Sequence, residues 1–457
     1  MAQTDKFMGA AGIYQQGKSS GKVTGVIDAD VDASIKAIGP KATYGIASIG
    51  NSELTVNGNV TMKGANGFGI SNNDQNDASS MGTGQANAVG LFADKNSGSG
   101  VGGVLTVNGN VDLSVDGNAI YAKSKGSKIT VNGDVKLVVN PNAKYGDYAI
   151  DAMEGSTVNV NMNEAGDASA DHNVNIQGNV AVMADMAQGK NTTAVNLGLS
   201  TKDSTWQGIV YNTYGDNTVG SANIWLSNGA SWTNESFGKV QESGYAPSGF
   251  DEIKFAGSHV TKLVGGSDAA HAGNIFQKDA KNLTIDNYSG NTNIYYAHEG
   301  NGEAAANYKA GDTVIKAASK DSVVSLITDN KGIAMDNKDS VANVLNALAG
   351  KLTYSNFATG EKNLTGYVKI ADGLTASSAI KETGDITFNE KGQGTYVKPA
   401  PSIPDHQVVT EFTSTLTGVQ DNDEEYLLGG VIKDEGLYQF TQNSSITTTN
   451  AHGADMN

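Results

Sequence analysis

The sequence predicts an all-β protein, a right-handed parallel β-helix (a solenoid) with a short helical insertion near 340–350. Three observations carry that expectation. The first is repetition: Leu54-Thr55-Val56-Asn57-Gly58-Asn59-Val60 returns at Leu105–Val111 and, as Ile129-Thr130-Val131-Asn132-Gly133-Asp134-Val135, a third time. A looser copy stands at Val174-Asn175-Ile176-Gln177-Gly178-Asn179-Val180. The second is alternation, since apolar residues exchange with Thr or Asn every other position, the period of a half-buried strand. The third is punctuation. Gly is 57 of 457 residues, about one in eight, against an average near ~7%.

The repeated phrase sets the unit. Upstream of each copy lies a partner strand: Tyr44–Ala47, Gly90–Ala93, Ala119–Ala122 and Tyr148–Asp151. Asn-Gly pairs supply residues that tolerate positive φ and turn the chain at fixed intervals. A β-hairpin competes at each such pair, but partner strands recurring at rung spacing favour parallel stacking. A unit this short cannot bury its apolar face alone, whereas stacked copies can. The second and third phrases lie 24 residues apart and the first and second 51, which reads as two periods plus a loop. At about 23 residues per rung, residues 25–400 would make roughly sixteen rungs. Val56, Val107 and Val131 should then point inward on one face.

Later elements follow the same style. Ile224–Trp232 and Leu283–Tyr296 are strand-and-turn segments rich in aromatics, and Thr313–Ile315 with Val323–Ile327 reads as a strand pair. One helix is expected: Ser340 caps a run in which Val341, Val344, Leu345 and Leu348 share a face, and Gly350 with Lys351 stops it. Strands resume at Leu352–Phe357, Tyr367–Ile370 and Ile386–Phe388. Pro399, Pro401 and Pro404, half the prolines of the chain, mark a boundary. The expected organisation is an N-terminal cap or extension over 1–24, a β-helix over 25–300, C-terminal rungs with a cap over 301–398, and a linker with a polar segment over 399–457.

Composition excludes several functions. The net charge is −17 and all 31 basic residues are Lys, so the footprint that neutralises phosphates is missing and nucleic acid is not an expected partner. Without Arg there is no bidentate fork for carboxylate or phosphate. No apolar run of ~18 residues is present to span a bilayer as a helix. Zero Cys suits a protein that crosses an oxidising compartment. Met1–Phe7 lacks the basic and apolar regions of an intact secretory signal and reads as a processed start.

These residues resemble the passenger domains of bacterial autotransporters (type V secretion), of the pertactin-like and self-associating adhesin kind. The repeated phrases look like passenger rungs. Ile224–Trp232 is similar to late-passenger rungs, and Leu283–Tyr296 resembles a rung found near the passenger end. The resemblance covers roughly 25–397. It implies surface display or secretion, with outer-membrane anchoring through a C-terminal translocator barrel that this segment does not contain. It also implies that the rungs over 283–397 form the stable seed of folding. The Arg-Gly-Asp triplet of some adhesins is absent.

Motifs that would carry chemistry are sparse. Gly17-Lys18-Ser19-Ser20-Gly21 matches the letters of a nucleophile elbow but lacks its strand-turn-helix context. The protease and lipase signatures of other passengers, Gly-Asp-Ser-Gly and Gly-Asp-Ser-Leu, do not occur. His172, His259, His271, His298, His406 and His452 are scattered, with no i, i+4 metal pair, and each reads as a solvent-exposed loop residue. Asp28-x-Asp30-x-Asp32 and Asp421-x-Asp423-Glu424-Glu425 offer oxygen ligands without a calcium loop's glycine spacing and read as solvated acidic turns. Asn140-Pro141-Asn142 resembles a turn of two-partner secreted haemagglutinins, a secondary export route. No catalytic, cofactor-binding or metal-binding residue is assigned. The expected function is a non-catalytic adhesin. Its expected partners are a host surface or matrix protein, a neutral glycan, or another passenger in aggregation and biofilm. A β-helix polysaccharide hydrolase or lyase is the alternative; it would need two carboxylates at fixed separation, and no pair stands out.

Overall fold

A computed structural model describes residues 11–35, 43–64, 88–96, 100–115, 117–141, 148–163, 165–183, 193–212, 220–238 and 256–399. Met1–Val397 form one compact unit and Lys398–Asn457 a second; beyond residue 399 the second lies outside the described residues, as do Asp421, Asp423, Glu424 and Glu425. Among the described residues the first unit contains three sheets, here sheet 1 with seven strands, sheet 2 with eleven and sheet 3 with thirteen. Each of the first seven coils gives one strand to each sheet in turn. The next four coils supply sheets 2 and 3 only, and every pairing between successive coils is parallel. The fold is a parallel β-helix of eleven coils. Its first strand, Ala11–Gly17, pairs in register with Thr43–Gly50, so the solenoid already begins inside the 1–24 stretch expected as a cap or extension.

The repeats stack as expected and count differently. Val56, Val107 and Val131 are register partners and fully buried. Val56 and Val107 belong to adjacent coils, however, so their 51-residue interval is one coil with an insertion rather than two periods. Partners lie 24 residues apart at Val107/Val131, 29 at Val131/Val160 and 37 at Val160/Leu197. Longer connections therefore reduce the expected sixteen rungs to eleven coils. The looser copy also sits elsewhere: Val174–Gln177 belongs to sheet 3 and Asn179–Met183 to sheet 1, whereas the other three phrases bend from sheet 2 into sheet 3.

At that bend the role of Asn-Gly differs from the expected one. Gly58, Gly109 and Gly133 do not take positive φ; Asn228 and Gly229, with φ of 53° and 80°, do. What the bend requires is close backbone approach. A Cβ on Gly109 would stand 2.3 Å from the Gly58 carbonyl oxygen, and one on Gly133 2.4 Å from that of Gly109. The flanking asparagines make two ladders. Asn57 Nδ2 donates to Asp28 Oδ1 (2.6 Å), Asn108 to Asn57 (2.8 Å) and Asn132 to Asn108 (2.9 Å). Alongside, the backbone N–H groups of Asn59, Asn110, Asp134 and Asn173 each donate to the side chain one coil back, at 2.7–2.9 Å. Asp28 and Asp30, read as a solvated acidic turn, thus head the two ladders.

The core is a single stack of Val, Ile, Leu and Ala thickened by aromatics. Each Val, Ile or Leu side chain withdrawn from water contributes about 1.5–3 kcal/mol. Trp206 and Trp232 are register partners with ring centroids 4.6 Å apart and planes within 5°; their Nε1 atoms donate to the Gly178 and Gly208 carbonyls. The helix spans Lys338–Ala349 in the connection from sheet 3 back to sheet 2, and Val344, Leu345 and Leu348 enter the core. Asn337, not Ser340, caps it, accepting from the N–H groups of Asp339 and Ser340. Thr313–Ala318 and Ser322–Asp329 do not pair with each other; they lie in sheets 2 and 3. Two antiparallel strands, Ile380–Phe388 and Gly394–Val397, end sheet 3.

Candidate functional site

The outward face of sheet 3 carries side chains in register, one per coil. One column runs Asp32, Thr61, Asp112, Lys136, Asn175, Thr205, Ser231, Asn274, Asn293, Ser325, Tyr367. It is polar through ten coils. The neighbouring column is polar early, at Gln177, Gln207 and Thr233, then changes to Phe276, Tyr295 and Ile327 before Lys369. Over the last coils the second column is therefore aromatic and aliphatic beside a first column that stays polar as far as Ser325.

That change makes a groove of about 220 Å³. Tyr295, Ile327 and Ala371 form a buried apolar floor against which Phe276 and Leu374 pack. Phe276 and Tyr295 stack with centroids 4.7 Å apart. Asn293, Ser325, Thr375 and Ser378 add amide and hydroxyl groups to the lining. The Asp372–Ala379 loop is the lip, tied where Asp372 N–H donates to the Ala379 carbonyl (2.9 Å) and Ala379 N–H to Asp372 Oδ1 (2.9 Å). Lys369 lies on the antiparallel-paired strand Leu364–Ala371, with Nζ 5.8 Å from the Tyr367 ring centroid, within cation–π reach.

Burial dominates the electrostatics. It pushes the Tyr295 phenol up to about 12 and holds the Lys369 ammonium below the usual lysine range. Both shifts come from water exclusion, which disfavours whichever form is charged. Tyr295 thus stays a neutral phenol, its Oη 3.3 Å from Asn274 Oδ1.

Sequence reasoning missed this groove. Its trace is a lapse in alternation at Ile275-Phe276, Ile294-Tyr295-Tyr296 and Leu326-Ile327, where an apolar residue stands at an outward position. The features that the sequence did single out lie apart from it. Gly17–Gly21 is a tight turn closed by Gly21 N–H to the Lys18 carbonyl. His172, His259, His271 and His298 each stand beside an aspartate, Asp134, Asp286, Asp268 and Asp329 respectively. His259 lies on a strand, and the His298 side chain is only 4% exposed, so neither is the exposed loop residue expected. His406 and His452 lie outside the described residues. In comparisons with known proteins, the chain matches no family model, no curated protein and no solved structure.

Proposed function

We propose that this chain is a non-catalytic adhesin, an autotransporter passenger displayed at a bacterial surface that mediates attachment or cell–cell aggregation. The supporting observation is the sheet 3 column from Asp32 to Ser325, which repeats a polar side chain at the same register position in ten successive coils, and all but Asn274 and Ser325 reach solvent. Strand spacing of about 4.8 Å sets the pitch of such a column. Many weak contacts at fixed pitch add through effective concentration without any one being strong. Cleft chemistry needs a few converging groups; an adhesive flank needs many parallel ones.

The test is display on a non-adherent bacterium. Clumping or attachment to host cells or matrix, without release of reducing sugar from a glycan panel, is the expected result. Sugar release abolished by mutating an Asp or Glu pair would overturn the assignment in favour of a polysaccharide hydrolase or lyase.

A further inference from the structure

We propose that the sheet 3 groove binds a single carboxylate-bearing sugar residue, its apolar ring face against Tyr295 and Ile327 and its carboxylate on Lys369. The inference deepens the adhesive reading, on which it rests for its biological sense, by naming a ligand class and a place.

Charge points to the ligand. The chain carries −17, yet among the described residues no Asp or Glu lines the groove, and Lys369 is the one charged residue of the lining. Asp372 pairs with Lys381 (3.6 Å), and Asp329 Oδ1 lies 2.9 Å from His298 Nε2; neither acid belongs to the lining. Asp385 stands opposite Tyr367 on the next strand, outside the lining. Among the described residues no carboxylate pairs with Lys369. A half-buried ammonium in an acid-free pocket is completed by an anion from solution, and one ammonium suits a monoanion better than a phosphate dianion.

Shape and polarity narrow the choice further. A sugar presents C–H groups on one face and hydroxyls around its edge. The groove offers a floor of Tyr295, Ile327 and Ala371 and a polar rim including Asn293 and Ser325. Tyr295, Ile327 and Lys369 are register partners on three successive strands, so floor and charge are separated by about 10 Å of backbone, a span that one ring with its carboxylate can bridge. About 220 Å³ is below the roughly 300–1,000 Å³ of drug-sized sites, which fits one residue and not a chain. Overall acidity disfavours a polyanion at the long flank, but a lone carboxylate meets only the local field of Lys369.

Saturation-transfer NMR on the intact chain provides the test, with methyl β-glucuronide and the methyl glycoside of N-acetylneuraminic acid as acidic probes. Methyl β-glucoside and acetate are the controls. At least one acidic glycoside should bind, more tightly than either control, and Lys369→Met should weaken it by roughly ten- to hundredfold, the scale of a charge-assisted contact, while Lys369→Arg restores part of it. Binding of both acidic probes no tighter than that of the glucoside, no binding of either acidic probe, or acidic binding unchanged in Lys369→Met would overturn the inference. Should Lys369→Met misfold by circular dichroism, the wild type decides: affinity for the acidic glycoside must fall between 50 and 500 mM salt while Ile327→Trp, which fills the floor, abolishes it. Display on cells separates the two readings. Attachment without glycoside binding defeats the groove and spares the adhesin, whereas glycoside binding without attachment or clumping does the reverse.

Discussion

Asn108 donates its side-chain amide to Asn57 Oδ1 across 2.8 Å, although 51 residues separate the two in sequence. The same carboxamide accepts from Asn132 Nδ2 at 2.9 Å, so one side chain joins three coils. Replacing Asn108 with Leu removes two bonds, each contributing about 0.5–1.5 kcal/mol. Asn108→Asp keeps the acceptor for Asn132 and turns a repelling oxygen on Asn57. Urea titration should find both variants less stable than wild type, whereas Asn108→Gln, able to keep one bond, should fall between.

Gly109→Ala tests the bend differently. Its Cβ would meet the Gly58 carbonyl oxygen at 2.3 Å, a backbone atom that cannot swing away. Overpacking of this kind costs about 1–3 kcal/mol. Gly21→Ala, whose Cβ meets nothing within 4 Å, is the matched control and should leave the thermal midpoint within a degree or two of wild type.

Asp151 makes stability depend on pH. The residue is 1% exposed on the outward face of sheet 1; Asn118 Nδ2 donates to its Oδ2 at 2.8 Å, and Oδ1 has no hydrogen-bond partner among the described residues. Burial raises its carboxyl to about 7, against the lowering effects of Asn118 and Lys123. The native state therefore holds a proton that the unfolded chain has already released above the ordinary carboxylate range. Stability should fall as pH rises through that interval, by about 1.4 kcal/mol per unit, and level off above about 7. Urea midpoints at pH 5 and pH 8 would show it, and Asp151→Asn should remove the difference attributable to this group.

Limited proteolysis addresses the order of assembly. Coils over 283–397 contain eight-residue strands at Asn282–Ser289, Ser322–Asp329 and Leu364–Ala371, with Tyr288, Tyr296 and Tyr354 buried in the core and the helix packed beside them. In a stack held by neighbour-to-neighbour interfaces, this end should survive digestion longest. Mass spectrometry should recover a resistant fragment containing 283–397; early loss of that fragment with 30–200 intact would contradict the seed expected from the resemblance.

The strand pattern was legible because Leu54–Val60 and its copies place apolar residues at every second position, and register partners confirm that placement. The coil count was not. An insertion between Val60 and Leu105 leaves the stacking face untouched, since loop length adds little closure entropy, so 51 residues resembled two periods. The helix was recognisable from Val341, Val344, Leu345 and Leu348, but Asn337 and Ser340 are both good caps and only the fold chooses. The groove escaped because Phe276, Tyr295 and Ile327 are apolar residues beside other apolar residues. In one dimension an outward aromatic and an inward one look alike; the register of eleven coils tells them apart.

The coil between Val107 and Val131, 24 residues from one partner to the next, carries a further consequence. Its ladder contacts, Asn132 to Asn108 and Asp134 N–H to Asn110, repeat those that Asn108 and Asn110 make one coil earlier. A copy of this segment spliced in after itself would continue both ladders, because its asparagines would meet the same acceptors that Asn57 and Asn59 present to Asn108 and Asn110. The molecule is in that sense a ruler with interchangeable graduations: reach could be lengthened or shortened one step at a time by in-frame duplication or deletion, while the groove at its end stayed as it is.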